Sequence, residues 1–126
     1  MKRIIAAVAI LLLVFAATLC HSFYISSFTQ ELTSILEAAE ANAEKNDWAA
    51  AEELTQTAHD RWDSTDAYLH ILLRHSETDA IYTGFREVAE FIQCQEGGEY
   101  SAANARLIAE LELLSEAEQL TLKNIL

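Results

Sequence analysis

Four side chains able to hold a divalent cation stand at steps of four, three and four along the chain: His59, Asp63, Asp66 and His70. On an unbroken helix these spacings place all four on one face, and two imidazoles with two carboxylates make a mixed nitrogen and oxygen donor set. The letters between them argue for a break instead. Ser64 and Thr65 compete with helical hydrogen bonding, and Asp63 and Asp66 serve equally well as turn and cap residues. A turn or kink over 63–66, free of metal, is the expectation, and a metal site matching no named motif is the alternative.

A second polar group, His75, Ser76, Glu77 and Asp79, contains a serine, an imidazole and carboxylates. Serine catalysis needs a base within hydrogen-bond reach and an acid orienting that base, whereas adjacent residues on a helix point in different directions. Ser76 and Asp79 have the spacing of a capping box, and no oxyanion-hole sequence accompanies them. They read as the start of a helix with His75 packed at its junction. Trp48, Trp62, Tyr68, Tyr82, Phe85 and Tyr100 fall mostly on apolar stripes, which favours core over a ligand box. With no glycine-rich phosphate loop and no paired zinc cysteines, neither a cofactor nor an enzymatic activity is expected.

The elements that hold these residues begin with Met1-Lys2-Arg3 running into the apolar stretch Ile4 to Cys20. Seventeen helical residues span about 25 Å, and continuing through Phe23, Tyr24 and Ile25 supplies the length of a hydrocarbon core. Residues 1–25 are therefore expected to be a transmembrane anchor, with Lys2 and Arg3 inside and the aromatic pair at the far interface. A cleaved signal peptide, cut before Phe23, is the alternative, and it would release the remainder as a secreted domain. Lipidation at Cys20 is disfavoured because Leu19, a large residue, precedes it.

Residues 26–126 carry a formal charge of −14. That field opposes nucleic acid and anionic lipid, leaving solubility as its simplest purpose. About one hundred residues suffice for one core. Cys20 and Cys94 are not expected to pair, and Cys94 reads as buried or half-buried, with an intermolecular disulfide, and so self-association, as the lesser reading.

Without proline and with only Gly84, Gly97 and Gly98, this part reads as all-α. A first helix opening at Ser27, with Gln30 at capping-box spacing, would bury Phe28, Leu32, Ile35, Leu36, Ala39 and Ala43. Asp47 caps a second helix burying Trp48, Ala51, Leu54, Ala58 and Trp62. A third, from Ser76, buries Ile81, Phe85, Val88 and Ile92, and Gly84 within it marks a close helix contact. Glu96-Gly97-Gly98-Glu99 is the clearest loop. A fourth helix buries Tyr100, Ala103, Leu107, Leu111 and Leu114, and Ser115 with Glu118 opens a short last one. Asp47-Trp48-Ala49-Ala50-Ala51 and Glu99-Tyr100-Ser101-Ala102-Ala103 echo each other faintly, as in tetratricopeptide hairpins, although at too long a period. The fold class expected is an N-terminal transmembrane helix followed by a bundle of helical hairpins.

Asp47-Trp48 before Ala50-Ala51-Glu52-Glu53-Leu54, then Trp62, His75-Ser76-Glu77 with Asp79, and Leu120 to Leu126 at the end, all behind a basic and apolar start, resemble the bacterial family known as domain of unknown function 4363. The resemblance implies a small anchored protein with a helical outer part. The family has no assigned activity, so no catalytic residue is carried over. The function expected is a membrane-anchored helical interaction module, outside the bacterial cytoplasmic membrane, partnered by a membrane or cell-envelope protein. A metal-binding or enzymatic module using the His and Asp clusters is the alternative. Trp48, Trp62, His75, Ser76, Asp79 and Tyr100 are the interaction or structural candidates.

Overall fold

A computed structural model describes the backbone of residues 1–72 and 75–125 and the side chains of 1–65, 76–120, 123 and 124. Four helices account for nearly all of it: α1 (Lys2–Glu44), α2 (Trp48–Leu72), α3 (His75–Cys94) and α4 (Gly97–Ile125). No strand occurs among the described residues, as the missing alternation of apolar and polar residues leads one to expect. α1 packs on α2 and α4, and α3 closes the ring by packing on the same two helices. Pairs His21 with Glu118, Leu36 with Asn104 and Glu40 with Ser101 set α1 and α4 antiparallel. The result is a four-helix bundle in which short turns join antiparallel neighbours.

The first helix does not open at Ser27. α1 runs without interruption from Lys2, so the apolar leader and the first wall of the bundle are one rod of 43 residues. Nothing between Cys20 and Phe28 forces a break, since no glycine or proline occurs there and hydroxyls can bond within a helix. Thr29 Oγ1, for instance, donates to the Ser26 carbonyl at 3.1 Å. Burial begins at Ser22 and Ile25 and continues through Phe28, Leu32, Leu36, Ala39 and Ala43. Ahead of Ser22, α1 projects about 30 Å beyond the bundle. An eighteen-residue stretch there has a mean hydropathy of 2.6 and is wholly uncovered, long and apolar enough to cross a membrane or to serve as a signal sequence.

The core follows the apolar stripes. Ala51, Ala58 and Trp62 from α2, Ile81, Phe85, Val88 and Ile92 from α3, and Tyr100, Ala103, Leu107, Leu111 and Leu114 from α4 are buried against the α1 stripe. Each large aliphatic or aromatic side chain so covered contributes about 1.5–3 kcal/mol. Ala39, Ala43, Ala51 and Ala58 keep α1 and α2 close, and Trp62 fills the space lower down, its ring 6.3 Å from that of Phe28. At Gly84 a Cβ would stand 2.9 Å from Leu107 Cδ1, so this glycine marks a close approach of α3 and α4. Asn104 is fully buried beside the stripe and donates to the Leu36 carbonyl at 3.1 Å, fixing the α1 to α4 register.

The turns differ from the expected ones. α2 passes straight through 63–66, because Ser64 Oγ donates to the Arg61 carbonyl and Thr65 Oγ1 to those of Arg61 and Trp62, satisfying their hydroxyls inside the helix. Ser115 and Glu118 likewise lie within a continuous α4. Both described hairpin turns are Schellman motifs. In the first, Asn46 N–H donates to the Ala43 carbonyl and Asp47 N–H to Asn42; in the second, Gln95 N–H donates to Ile92 and Glu96 N–H to Phe91. The left-handed residues are Asn46 (φ 63°) and Gln95 (φ 54°), while Gly97 and Gly98, expected in a loop, form the first turn of α4. Asp47 caps α2 as expected, its Oδ1 accepting from Ala50 N–H at 3.2 Å. By turn register its counterpart is Glu96 rather than Glu99. Cys94 is exposed, not buried, because it closes α3 off the stripe.

Two substitutions test this packing. Gln95→Gly is expected to raise stability by about 1 kcal/mol, since a side chain in the left-handed region costs roughly 1–2 kcal/mol; the urea midpoint should rise with an unchanged slope. Gly84→Val should lower stability by about 2 kcal/mol by pressing into Leu107, read from the same titration.

Candidate functional site

Three surface features collect the polar residues of interest. The α2/α3 groove contains His59, whose ring stacks on Phe85 at 4.9 Å between centroids and 5° between planes, with Tyr82 edge-on at 6.0 Å. Its Nε2 stands 3.5 Å from Asp63 Oδ2, a carboxylate one turn along α2. Outside this pair the groove opens to about 780 Å³, bounded by Gln56, Thr83, Arg86 and Glu90. Arg86 lies 6.0 Å from the centroid of Tyr82, which is 47% exposed rather than in the core. Because α2 is unbroken, the backbone positions of His59, Asp63, Asp66 and His70 do share one face. The side chains of Asp66 and His70 lie outside the described residues. Among those described, no three His, Cys, Asp or Glu converge to hold a metal.

The α3/α4 groove contains the second polar group. Ser76 lines two adjoining cavities of about 250 and 300 Å³; Glu77 faces the first, Asp79 the second, and Glu110 of α4 borders both. The side chain of His75 lies outside the described residues, and α3 begins at His75, one residue ahead of the expected start. Burial pushes the Glu110 carboxyl above its ordinary range; Arg106 opposes the shift and Glu87 adds to it. Its Oε2 has no hydrogen-bond partner, while Arg106 is engaged with Glu87 at 3.3 Å. The groove thus lines one cleft with a serine hydroxyl and a partly buried carboxyl.

The third feature is the tip of the bundle, where both Schellman turns sit. Trp48, half-buried at the start of α2, meets Tyr100 of α4 with centroids 5.6 Å apart and planes at 73°. The sequence echo therefore joins two rings that touch across the bundle. A cavity of about 60 Å³ lies beside them, walled by Glu40, Ala43 and Glu44 of α1 and by Gly97 and Ser101 of α4. Ser101 Oγ donates to Glu40 Oε1 at 2.7 Å. Tyr100 is 1% exposed and its hydroxyl has no partner. Burial, helped by the charge of Glu40, pushes its phenol up to about 12.

Of the candidates read from sequence, Trp48 and Tyr100 come together at the tip, Ser76 and Asp79 share the α3/α4 groove, and Trp62 is core. Sequence reasoning missed Glu40 and Glu110. Glu110 lies beside the Leu107, Leu111 and Leu114 stripe, a position that signals partial cover; nothing local marks Glu40, whose partner is sixty-one residues away.

In comparisons with known proteins, a family model described as Domain of unknown function (DUF4363) matches residues 19–125. No curated protein matches, and no solved structure matches.

Glu110 gives a signed pH test. Its raised folded value means the native state holds a proton that the unfolded chain releases, so stability falls as pH rises from the ordinary glutamate range through that value. Glu110→Gln should therefore raise the melting temperature at pH 7 and have a smaller effect at pH 4, measured by circular dichroism at both.

Proposed function

The chain belongs to the family described as Domain of unknown function (DUF4363), and on that premise we propose that it is a membrane-tethered helical module, acting outside the bacterial cytoplasmic membrane by packing against another envelope protein. The observation that carries the reading is the continuity of α1. An uncovered, apolar stretch of eighteen residues passes into a bundle wall without a break, so a bilayer around the first part positions the second. From Ser22 to Lys45 the rod rises about 35 Å, which holds the tip at a set height from the membrane. Lys2 and Arg3 favour an inside N-terminus and hence an outside bundle.

The membrane-facing end of the bundle suits this placement. His21 Nε2 meets Glu118 Oε2 at 3.2 Å, and α4 continues beyond that level through Leu120, which is 59% exposed. Phe23 and Tyr24, 76% and 42% exposed, stand at the same level, where an apolar ring and the Tyr24 hydroxyl can be solvated separately. An interaction role, rather than catalysis, is favoured by the character of the grooves. They are lined largely by helix-surface polar residues, and among the described side chains none sets a nucleophile against a base.

Protease added to intact spheroplasts tests the reading. The expected result is digestion of the bundle with an N-terminal fragment retained in alkaline-washed membranes. Full-length chain recovered in the cytosol, resistant to added protease, would contradict it.

A further inference from the structure

We propose that the cavity at the bundle tip, walled by Trp48, Tyr100 and Glu40, receives the primary ammonium end of a lysine-type side chain presented by a partner. The inference rests on the tethered-module reading for its partner, and on the geometry of the tip for its chemistry.

Four observations converge on a cation. The tip, residues 37–53 and 90–105, contains nine carboxylates against one base, Lys45, so the local field gathers positive charge. Glu40 is half-buried and oriented by the Ser101 hydroxyl at 2.7 Å, yet no described base pairs with it. Trp48 and Tyr100 meet at 73° and form an aromatic corner, the ring types that attract cations over their faces. The Tyr100 hydroxyl is a buried oxygen without a partner, which in a native protein calls for an explanation.

The donor count then selects the kind of cation. An alkylammonium has three N–H donors and no acceptor. The Glu40 carboxylate can take one of them and the Glu44 carboxylate, exposed at the rim, a second, while the Tyr100 hydroxyl, which has no accessible surface as the tip stands, takes the third after a small outward turn of its ring. A volume of about 60 Å³ is about two waters' worth, enough for a CH2–NH3+ end. Gly97 leaves the approach open, since a Cβ there would meet nothing within 4 Å. An acidic surface alone would select no such group; the buried phenol and the aromatic corner supply the selectivity.

The test uses the full-length chain in lipid nanodiscs with 15N-labelled tryptophan, whose two indole N–H signals report Trp48 at the tip and Trp62 in the core. Nα-acetyl-lysine methylamide should move the Trp48 signal saturably and leave Trp62 in place. Its ε-acetylated analogue, uncharged, should bind at least about tenfold more weakly, as should Glu40→Gln and Gly97→Leu with the charged probe. Tyr100→Phe separates binding from folding: its melting temperature should hold or rise, because an unpaired buried hydroxyl is removed, while its affinity for the probe falls. Butylammonium identifies the source, since tighter binding of the peptide-like probe assigns a lysine side chain and equal binding assigns a free amine. No Trp48 shift, an equal shift with the uncharged analogue, or a shift unaffected by Glu40→Gln overturns the proposal. Alkaline extraction of membranes from the same cells reports separately on the tether: a membrane-held chain that ignores the probe loses only the pocket, and a soluble chain that binds it loses only the tether.

Discussion

Everything in this molecule hangs on the uninterrupted hydrogen-bond ladder of α1. The same helix is an apolar rod before Ser22 and the amphipathic wall of a four-helix bundle after it. Because α2 and α4 both pack on that wall, and among the described residues α3 packs on those two, the bundle inherits its direction from the leader. A flexible joint at residues 22–27 would leave the bundle free to reorient; the burial of Ser22 and Ile25 against neighbouring helices opposes it. The apolar stretch and the scaffold are therefore one mechanical element, and the distance of the tip from that stretch follows from helical rise alone.

Polar groups refine what apolar packing establishes. Leu32, Leu36, Leu107 and Leu111 would be content in several axial registers, since oil on oil has little direction. Asn104 has one good partner, the Leu36 carbonyl, and a shift of one turn would strand its amide in the core. Ser101 on Glu40 and Glu118 on His21 repeat the same register above and below. Most of the remaining charge is on exposed faces, where pairs such as Arg61 with Glu31, each about half exposed, add little to stability.

The apolar stripes were legible because a period of 3.6 is a global property of a segment: every large residue assigned to the core of α1, α3 and α4, Tyr82 excepted, is buried or half-buried. Helix ends were read less well. Ser27, Ser64, Thr65 and Ser115 have the letters of caps, yet a hydroxyl bonded to its own helix is satisfied as well, and only tertiary packing decides between the two. Gly97 and Gly98 misled for a related reason: the left-handed turn position fell to Gln95, whose side chain projects outward while Phe91 and Ile92 hold the turn's hydrogen bonds. The tip was half legible. The Trp48 and Tyr100 echo pointed at it, but Glu40 joins only through a contact between distant parts of the chain.

Acidity acquires a direction in this arrangement. Nine of the twenty carboxylates, with only Lys45 beside them, stand at the tip, the end of the bundle farthest from the apolar part of α1. The two bases at the start of α1, Lys2 and Arg3, stand at the opposite extreme of the rod.

Amide hydrogen exchange across residues 18–30 of the full-length chain in lipid nanodiscs tests the continuity of α1 most directly. The account predicts slow exchange at every amide in this window, with protection running from the apolar part into the bundle without a gap. A cluster of freely exchanging amides between Ser22 and Phe28 would reveal a hinge and contradict it.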